Sequence, residues 1–460
     1  MNPSDASVTT EDAEARSSRP VRKKFWQNDM EAVLGIMAVL IILGMVNVLS
    51  SSFVIAETRF DDPYFFLKRH IISLIVGIVV CIICARVDYH VWRRYMPGVY
   101  LLTAVALVLV FIIGPEVNGA RRWLPLPLMQ VQPAEGAKIV AIMMMAASMA
   151  ARKYGGRDVR LVEALNPQTF FILILAALVF KEPDMGTAAV ILGVPIVLFL
   201  VTAKLSKAQF FGTLAALVAA AAAFIMEQPY RIERMKMVWD PWQDAQNVGY
   251  QTVQSLSTVG SGKLFGMGLG VGLSKYDYLP EGHTDFAFAI FCQENGYLGA
   301  LAVFLLYTAL LVYGVRIANK ASDTYGQLLS FGIVVLIVGQ GICNMLMVGG
   351  AFPVVGVPLP FISYGGSSLI FTMLAIGILI NVGRIGERDA ILREQQAYEE
   401  ELQATAPRPH IGLRLVKTDH KKPEEKSGPR RRRRIVVVAA MFFLQCIRLT
   451  GRIQTAAPFL

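Results

Sequence analysis

Glu281, His283 and Asp285 place three titratable side chains within five residues, in the stretch Tyr278-Leu279-Pro280-Glu281-Gly282-His283-Thr284-Asp285-Phe286. Carboxylates and an imidazole so spaced can take up, hold or pass a proton. Polar, glycine-rich chain precedes them, and an apolar run follows to about residue 315. At ~1.5 Å per helical residue, that run is long enough to cross a bilayer. The cluster is therefore expected at a membrane–water boundary. A carboxylate just ahead of a helix is also favoured by the helix dipole, so the residues alone leave Asp285 between catalysis and a structural role.

Cations form a second set: Arg121 and Arg122 before Trp123, then Arg231 and Arg234 beside Tyr230, with Lys236 following. A guanidinium matches phosphate oxygens in pairs, which makes diphosphate the natural anion. Snorkelling of long side chains at an interface is the plainer alternative. Glu135 and Lys138 are three apart on one helix face and can pair. Lys181, Glu182 and Asp184 crowd one short connection, where they either pair or meet substrate. In residues 356–368, Pro358 and Pro360 break helix, Gly365 and Gly366 permit close approach, and Ser363 and Tyr364 lie between. That segment reads as a broken or re-entrant piece lining a cavity, or as an ordinary turn. Gly266, Gly268, Gly270 and Gly272 lack the strand and helix of a dinucleotide site, and Gly260-Ser261-Gly262-Lys263 lacks the Ser/Thr of a phosphate loop.

These residues need elements to hold them. The chain has 460 residues, 55% hydrophobic and 17% charged, against roughly a quarter charged in soluble domains. The apolar residues come in blocks nearly free of charge, the pattern of a polytopic membrane protein. Spans are expected near 31–50, 71–85, 97–113, 135–151, 170–180, 187–201, 210–226, 286–315, 328–348 and 367–382, an all-α fold of about ten transmembrane helices. Basic connections carry Arg86, Arg93 and Arg94, then Arg152 through Arg160, Lys204 and Lys207, Arg316 and Lys320, and Arg384 and Arg388. They alternate with less basic ones as the positive-inside rule requires, which puts both termini in the cytoplasm. The longest connection, 227–285 between helices 7 and 8, is then extracytoplasmic, together with Asp285 and all four arginines. Arginine should be depleted on that face, which strengthens the anion-binding reading.

Residues 1–29 read as a disordered cytoplasmic N-terminus, 30–386 as the transmembrane domain, and 387–460 as a basic, mostly disordered tail. Residues 390–402 suit a short charged helix, and the apolar 435–447 is too short to span. The net charge of +10 fits basic loops facing anionic lipid, not nucleic acid. Of five cysteines, Cys81 and Cys84 form a CxxC inside a span, where two small apolar residues on one helix face are the expectation.

At Gly119–Trp123, Gln132-Pro133-Ala134-Glu135 with Lys138, Glu182-Pro183-Asp184-Met185-Gly186-Thr187, Leu279-Pro280-Glu281 with His283-Thr284-Asp285-Phe286, and Pro360-Phe361-Ile362-Ser363-Tyr364-Gly365-Gly366-Ser367, the chain resembles the SEDS family. Its members RodA, FtsW and SpoVE are polytopic glycosyltransferases of bacterial wall synthesis. The likeness covers about residues 31–386, and Ser274-Lys275 before Tyr278 is more like the division member, FtsW, than the elongation member, RodA. The chain departs from the family pattern at Gln293-Glu294, where paired glutamates are usual, and at Ala134, where serine is common.

The resemblance implies a peptidoglycan glycosyltransferase of the bacterial cytoplasmic membrane, working at the division septum. It would polymerise lipid II, an undecaprenyl-diphosphate-linked saccharide, into β-1,4-linked glycan outside the membrane, with inversion. Such a transfer needs a base for the acceptor hydroxyl and stabilisation of the leaving diphosphate. Asp285 is the expected base, and Arg121, Arg122, Arg231 and Arg234 are the diphosphate candidates. Trp123, Glu135, Lys138, Asp184, Lys275, Glu281, His283, Ser363 and Tyr364 are the expected substrate contacts. A divalent cation, Mg or Mn, is compatible with the family, although no ligand spacing indicates a metal site. The expected partners are a class B penicillin-binding protein and other division proteins. A lipid II flippase and a non-catalytic division scaffold are the competing functions. A flippase would need an alternating-access pathway, and no inverted repeat is evident.

Overall fold

The computed structural model describes residues 28–405, except 118, 127–128, 155–158, 165 and 277. The N-terminal segment up to residue 27 and the tail beyond 405, including the basic run at 430–434 and the apolar 435–447, lie outside the described residues. The helices are α1 (Asp29–Phe60), α2 (Phe65–Arg86), α3 (Tyr89–Arg94), α4 (Met96–Ile113), α5 (Pro133–Tyr154), α6 (Pro167–Lys181) and α7 (Met185–Thr202). They continue as α8 (Lys207–Met226), α9 (Pro229–Trp239), α10 (Tyr250–Ser261), α11 (Ala287–Lys320), α12 (Thr324–Val348) and α13 (Gly366–Thr405). Among the described residues, nine are long and apolar enough to cross a membrane, and α6 is a shorter apolar tenth. The ten expected spans are thus all present as helices.

The ends differ from the expectation. α1 and α2 swallow most of the connection expected after residue 50 and leave only a tight turn between Phe60 and Phe65. The charged helix expected at 390–402 is a continuation of α13. Short hydrogen-bonded hairpins, β1 (Glu116–Val117) with β2 (Ala120–Arg121) and β3 (Leu124–Pro125) with β4 (Gln130–Val131), occupy the connection after α4. The long connection between α8 and α11 is not structureless: it folds into α9 and α10 and three-residue to four-residue turns.

Side-chain caps start several helices. Asp184 accepts from the Thr187 N–H at α7, Asp323 from Gly326 at α12, and Ser206 forms a capping box with Gln209 at α8. Each satisfies a backbone donor left free by the first turn. α5 lies at the centre, against α4, α6, α7 and α12, while α11 packs on α1 and α12 and α13 lies along α2. Cys81 and Cys84 are buried free thiols on the α2 face that meets Gly377 of α13, as small apolar residues would be. α8 carries no buried residue and stands at the rim, an apolar surface suited to lipid.

One end of the bundle is tied by charge. Asp29 pairs with Lys320 at 2.6 Å and Arg316 at 3.8 Å, Asn28 donates to Glu387, and Arg384 donates to the Arg86 carbonyl. The start of α1 and the ends of α2, α11 and the span of α13 therefore share one end, as an even number of crossings demands. Asn47 of α1 lies eighteen residues beyond Asp29, about 27 Å along the helix.

α11 is two helices. Gly296 has φ 67° and ψ −168°, which interrupts the single span expected at 286–315. The short first piece, Ala287 to Asn295, is almost entirely buried. The freed backbone groups find partners in the preceding glycine-rich loop: Tyr297 N–H donates to Lys263 O, Leu298 N–H to Leu264 O, Met267 N–H to Gln293 O and Gly268 N–H to Glu294 O. In a bilayer an interruption survives only when protein satisfies it in this way. A Cβ at Gly296 would lie 2.3 Å from the Gly266 nitrogen. Gly296→Ala is therefore expected to lower stability by about 3 kcal/mol, seen as a lower Tm of the purified protein in detergent. Gly339→Ala in α12, where an added Cβ meets nothing within 4 Å, is the control and should leave Tm unchanged or raised.

Candidate active site

Asp285 ends a tight turn just ahead of the buried half-helix. Glu281, at φ 54°, opens that turn, and its carbonyl accepts from the Thr284 and Phe286 N–H groups. Three elements then grip the backbone around Asp285. Asn344 of α12 donates to the Asp285 carbonyl at 2.7 Å and to the Val357 carbonyl at 2.8 Å. Asn47 of α1 donates to Ala287 O at 3.1 Å, and the Tyr364 N–H donates to His283 O at 3.0 Å. The side chain lies beside Gly356, where a Cβ would come 3.3 Å from Oδ2.

The segment 349–365 forms the other wall. It is non-helical, with Val357, Leu359, Phe361, Ile362 and Ser363 buried, so it is packed inside the protein and is not an outer turn. Tyr307 donates to Pro360 O, and Ser363 Oγ accepts from the Leu359 N–H. α1 reaches the segment so closely that a Cβ on Gly44 would meet Phe361 O at 1.9 Å. Tyr364 joins His283 and Phe66 in an aromatic cluster, with His283 4.8 Å from Phe66 and 6.0 Å from Tyr364 between ring centroids.

Charge converges on Asp285 from other elements. Its carboxyl is pushed up to about 7, first by burial and then by the negative charges of Glu281 and Asp184, with Arg122 opposing. Asp184 is buried, caps α7, and accepts from Gln132 Nε2 at 3.0 Å. The Gln132 N–H in turn donates to Ser367 Oγ, which itself donates to Gln130 O. Arg122 lies across the α6–α7 connection, donating from Nε to Glu182 O at 3.2 Å and from a terminal nitrogen to Pro183 O.

The other expected arginines are placed elsewhere. Arg121 is exposed, donates to Phe111 O and sits 3.7 Å from Glu116. Arg231 is held by Glu227 at 3.1 Å and by the Phe224 ring. Arg234 donates to Val354 O and lines a cavity of about 470 Å³ that also touches Tyr250, Pro280 and Phe352. Trp123 is half-buried beside β3. Lys275 is buried in an ion pair with Glu294 at 3.3 Å, reached also by Ser50 and the Gly270 N–H. That pair braces the glycine-rich loop to the half-helix about two and a half turns beyond Asp285. Glu135 and Lys138 pair at 2.8 Å with both side chains buried.

Asn47 and Asn344 were not among the residues expected to matter. Two asparagines inside apolar spans are the signal that could have found them, because polar amides within a membrane need partners. Among the described residues, no three His, Cys, Asp or Glu side chains converge in a group that could hold a metal ion.

A family model described as "Cell cycle protein", FtsW/RodA/SpoVE, matches residues 30–387. The chain belongs to that family. It is 38% identical to a probable peptidoglycan glycosyltransferase FtsW of Trichlorobacter lovleyi, across 79% of this chain and 95% of that protein. It is 36% identical to the stage V sporulation protein E of Bacillus subtilis, across 75% and 94%. Among solved structures, a chain of a peptidoglycan synthase complex that coordinates polymerisation and crosslinking superposes with TM-score 0.63 at 27% identity, across 76% of this chain and 96% of that one. The rod shape determining protein RodA of Thermus thermophilus superposes with TM-score 0.55 at 26% identity, across 76% and 95%. The family match covers the bundle and both walls around Asp285.

Removing one member of a buried ion pair strands its partner. Lys138→Met should cost about 3–5 kcal/mol, and Glu135→Gln with Lys138→Met together should cost less than Lys138→Met alone. Thermal unfolding in detergent of both variants checks this.

Proposed function

We infer that this chain is a peptidoglycan glycosyltransferase that polymerises lipid II into β-1,4-linked glycan on the outer face of the cytoplasmic membrane. The observation that carries the reading is Asp285, locked by backbone hydrogen bonds and set among Asp184, Glu281 and Arg122. A carboxyl raised to about 7 is a competent base near neutral pH, because its proton affinity approaches that of the medium. Asp285 takes the proton of the acceptor sugar hydroxyl as that oxygen attacks the anomeric carbon of the donor. The donor's bond to diphosphate breaks on the opposite side, which inverts the centre. Arg122, fixed by two backbone carbonyls, faces the charge that gathers on the leaving diphosphate.

The remaining contacts follow from position. His283, Tyr364 and Phe66 offer an aromatic surface for sugar or lipid. Arg234 at the 470 Å³ cavity offers a second cation to anionic substrate. A class B penicillin-binding protein is the proposed partner, because the synthase-complex neighbour belongs to an assembly that joins polymerisation to crosslinking. Action at the division septum, among other division proteins, is proposed from the FtsW relatives.

Asp285→Asn keeps the shape and removes the base. The variant should insert and unfold like wild type but form no glycan from purified lipid II, with activity lower by about a thousandfold or more. Glycan of normal yield from Asp285→Asn would overturn the assignment.

A further inference from the structure

Glu182 sits between α6 and α7, is 1% exposed, and neither carboxyl oxygen has a hydrogen-bond partner. A buried polar group without a partner is costly, and one in a native protein calls for an explanation. Helix geometry supplies none: the α7 cap is Asp184, and the Glu182 backbone carbonyl, not its side chain, receives Arg122. The charged groups acting on the side chain are Asp184 and Arg122, while neighbouring Lys181 is exposed. Asp184 and Arg122 are also charged neighbours of Asp285, so both carboxyls belong to one electrostatic site.

Resting on Asp285 as the base, we propose that Glu182 is a second working carboxyl of this site: a neutral acid that donates a hydrogen bond to a diphosphate oxygen of the lipid-linked substrate, beside the Arg122 guanidinium. The diphosphate is the ligand chemistry that completes the geometry, since it offers only acceptors and a neutral carboxyl has a donor to give. Burial and the Asp184 charge push Glu182 up to about 8, with Arg122 opposing, so the acid keeps its proton at neutral pH. Once ionised, it would repel the diphosphate. Two carboxyls with different environments thus divide the work, one ionised to accept a proton and one protonated to donate a hydrogen bond.

The sign follows for each group. Activity rises with pH as Asp285 loses its proton near 7 and falls as Glu182 loses its proton near 8. The profile of kcat/KM, which reports the free enzyme, should be a narrow bell. The experiment measures kcat/KM for purified lipid II with the full chain reconstituted in liposomes, between about pH 6 and about pH 9. Glu182→Gln keeps a neutral donor of similar shape; its profile should keep the acidic limb and lose the alkaline limb. Glu182→Ala should raise KM by about tenfold with a smaller change in kcat. An alkaline limb unchanged in Glu182→Gln would overturn the proposal, and so would an unchanged KM in Glu182→Ala. The near-isosteric Gln variant keeps the test decisive if the alanine variant fails to fold. Failure of the Asp285 reading would show separately, as an active Asp285→Asn.

Discussion

One amide side chain joins the two non-helical segments on which the site depends. Asn344, inside α12, gives its two protons to the carbonyls of Asp285 and Val357. Breaking helices within a bilayer frees backbone groups that lipid cannot satisfy. Here protein satisfies them: Asn344 and Asn47 hold the turn at Asp285, Tyr307 holds Pro360 O, and the loop at 263–268 closes the gap at Gly296. The interruptions are what bring a carboxylate, a run of buried backbone and an aromatic cluster to one place. Unbroken helices would leave Asp285 on a surface.

The same arrangement accounts for the electrostatics. Burial alone raises the carboxyls, and two more acids, Glu281 and Asp184, raise Asp285 further. Arg122 is the opposing charge, and it is fixed by carbonyl oxygens and not by an ion pair. It therefore keeps its charge uncommitted for an anion. By contrast, Lys138 and Lys275 are each neutralised by a glutamate inside the bundle. Lys275 thereby ties the glycine-rich loop to the half-helix. At the far end, Asp29 with Arg316 and Lys320 closes α1 on α11 in the basic layer expected to face the cytoplasm.

The site residues sort by this logic. Asp285, Asp184, Glu281 and Arg122 share one electrostatic neighbourhood, and His283 and Tyr364 adjoin it through ring contacts. Arg121 and Arg231 are engaged by Glu116 and Glu227, and Arg234 faces a cavity of its own. Arginines that look equivalent in a list of cations are thus unequal in space. The difference lies in which backbone carbonyl or acid lies within reach, and chain spacing carries no record of that.

The membrane character, the ten apolar helices, the even number of crossings and the turn that carries Asp285 can all be read along the chain. These are properties of composition and period: long uncharged blocks, alternating basic loops, and proline and glycine that cannot continue a helix. The break in α11 leaves no local mark, because Gly296 sits in an apolar run, and one glycine in such a run reads as an ordinary helical residue. Tertiary packing is what binds Lys275 to Glu294, sets Asn344 between Asp285 and Val357, and buries Glu182 without a hydrogen-bond partner. Those contacts join residues that are separated in the chain, and their energies depend on burial and on neighbours supplied by other helices. Local pattern could mark Asp285; burial and the charges of Glu281 and Asp184 are what push its carboxyl up to about 7.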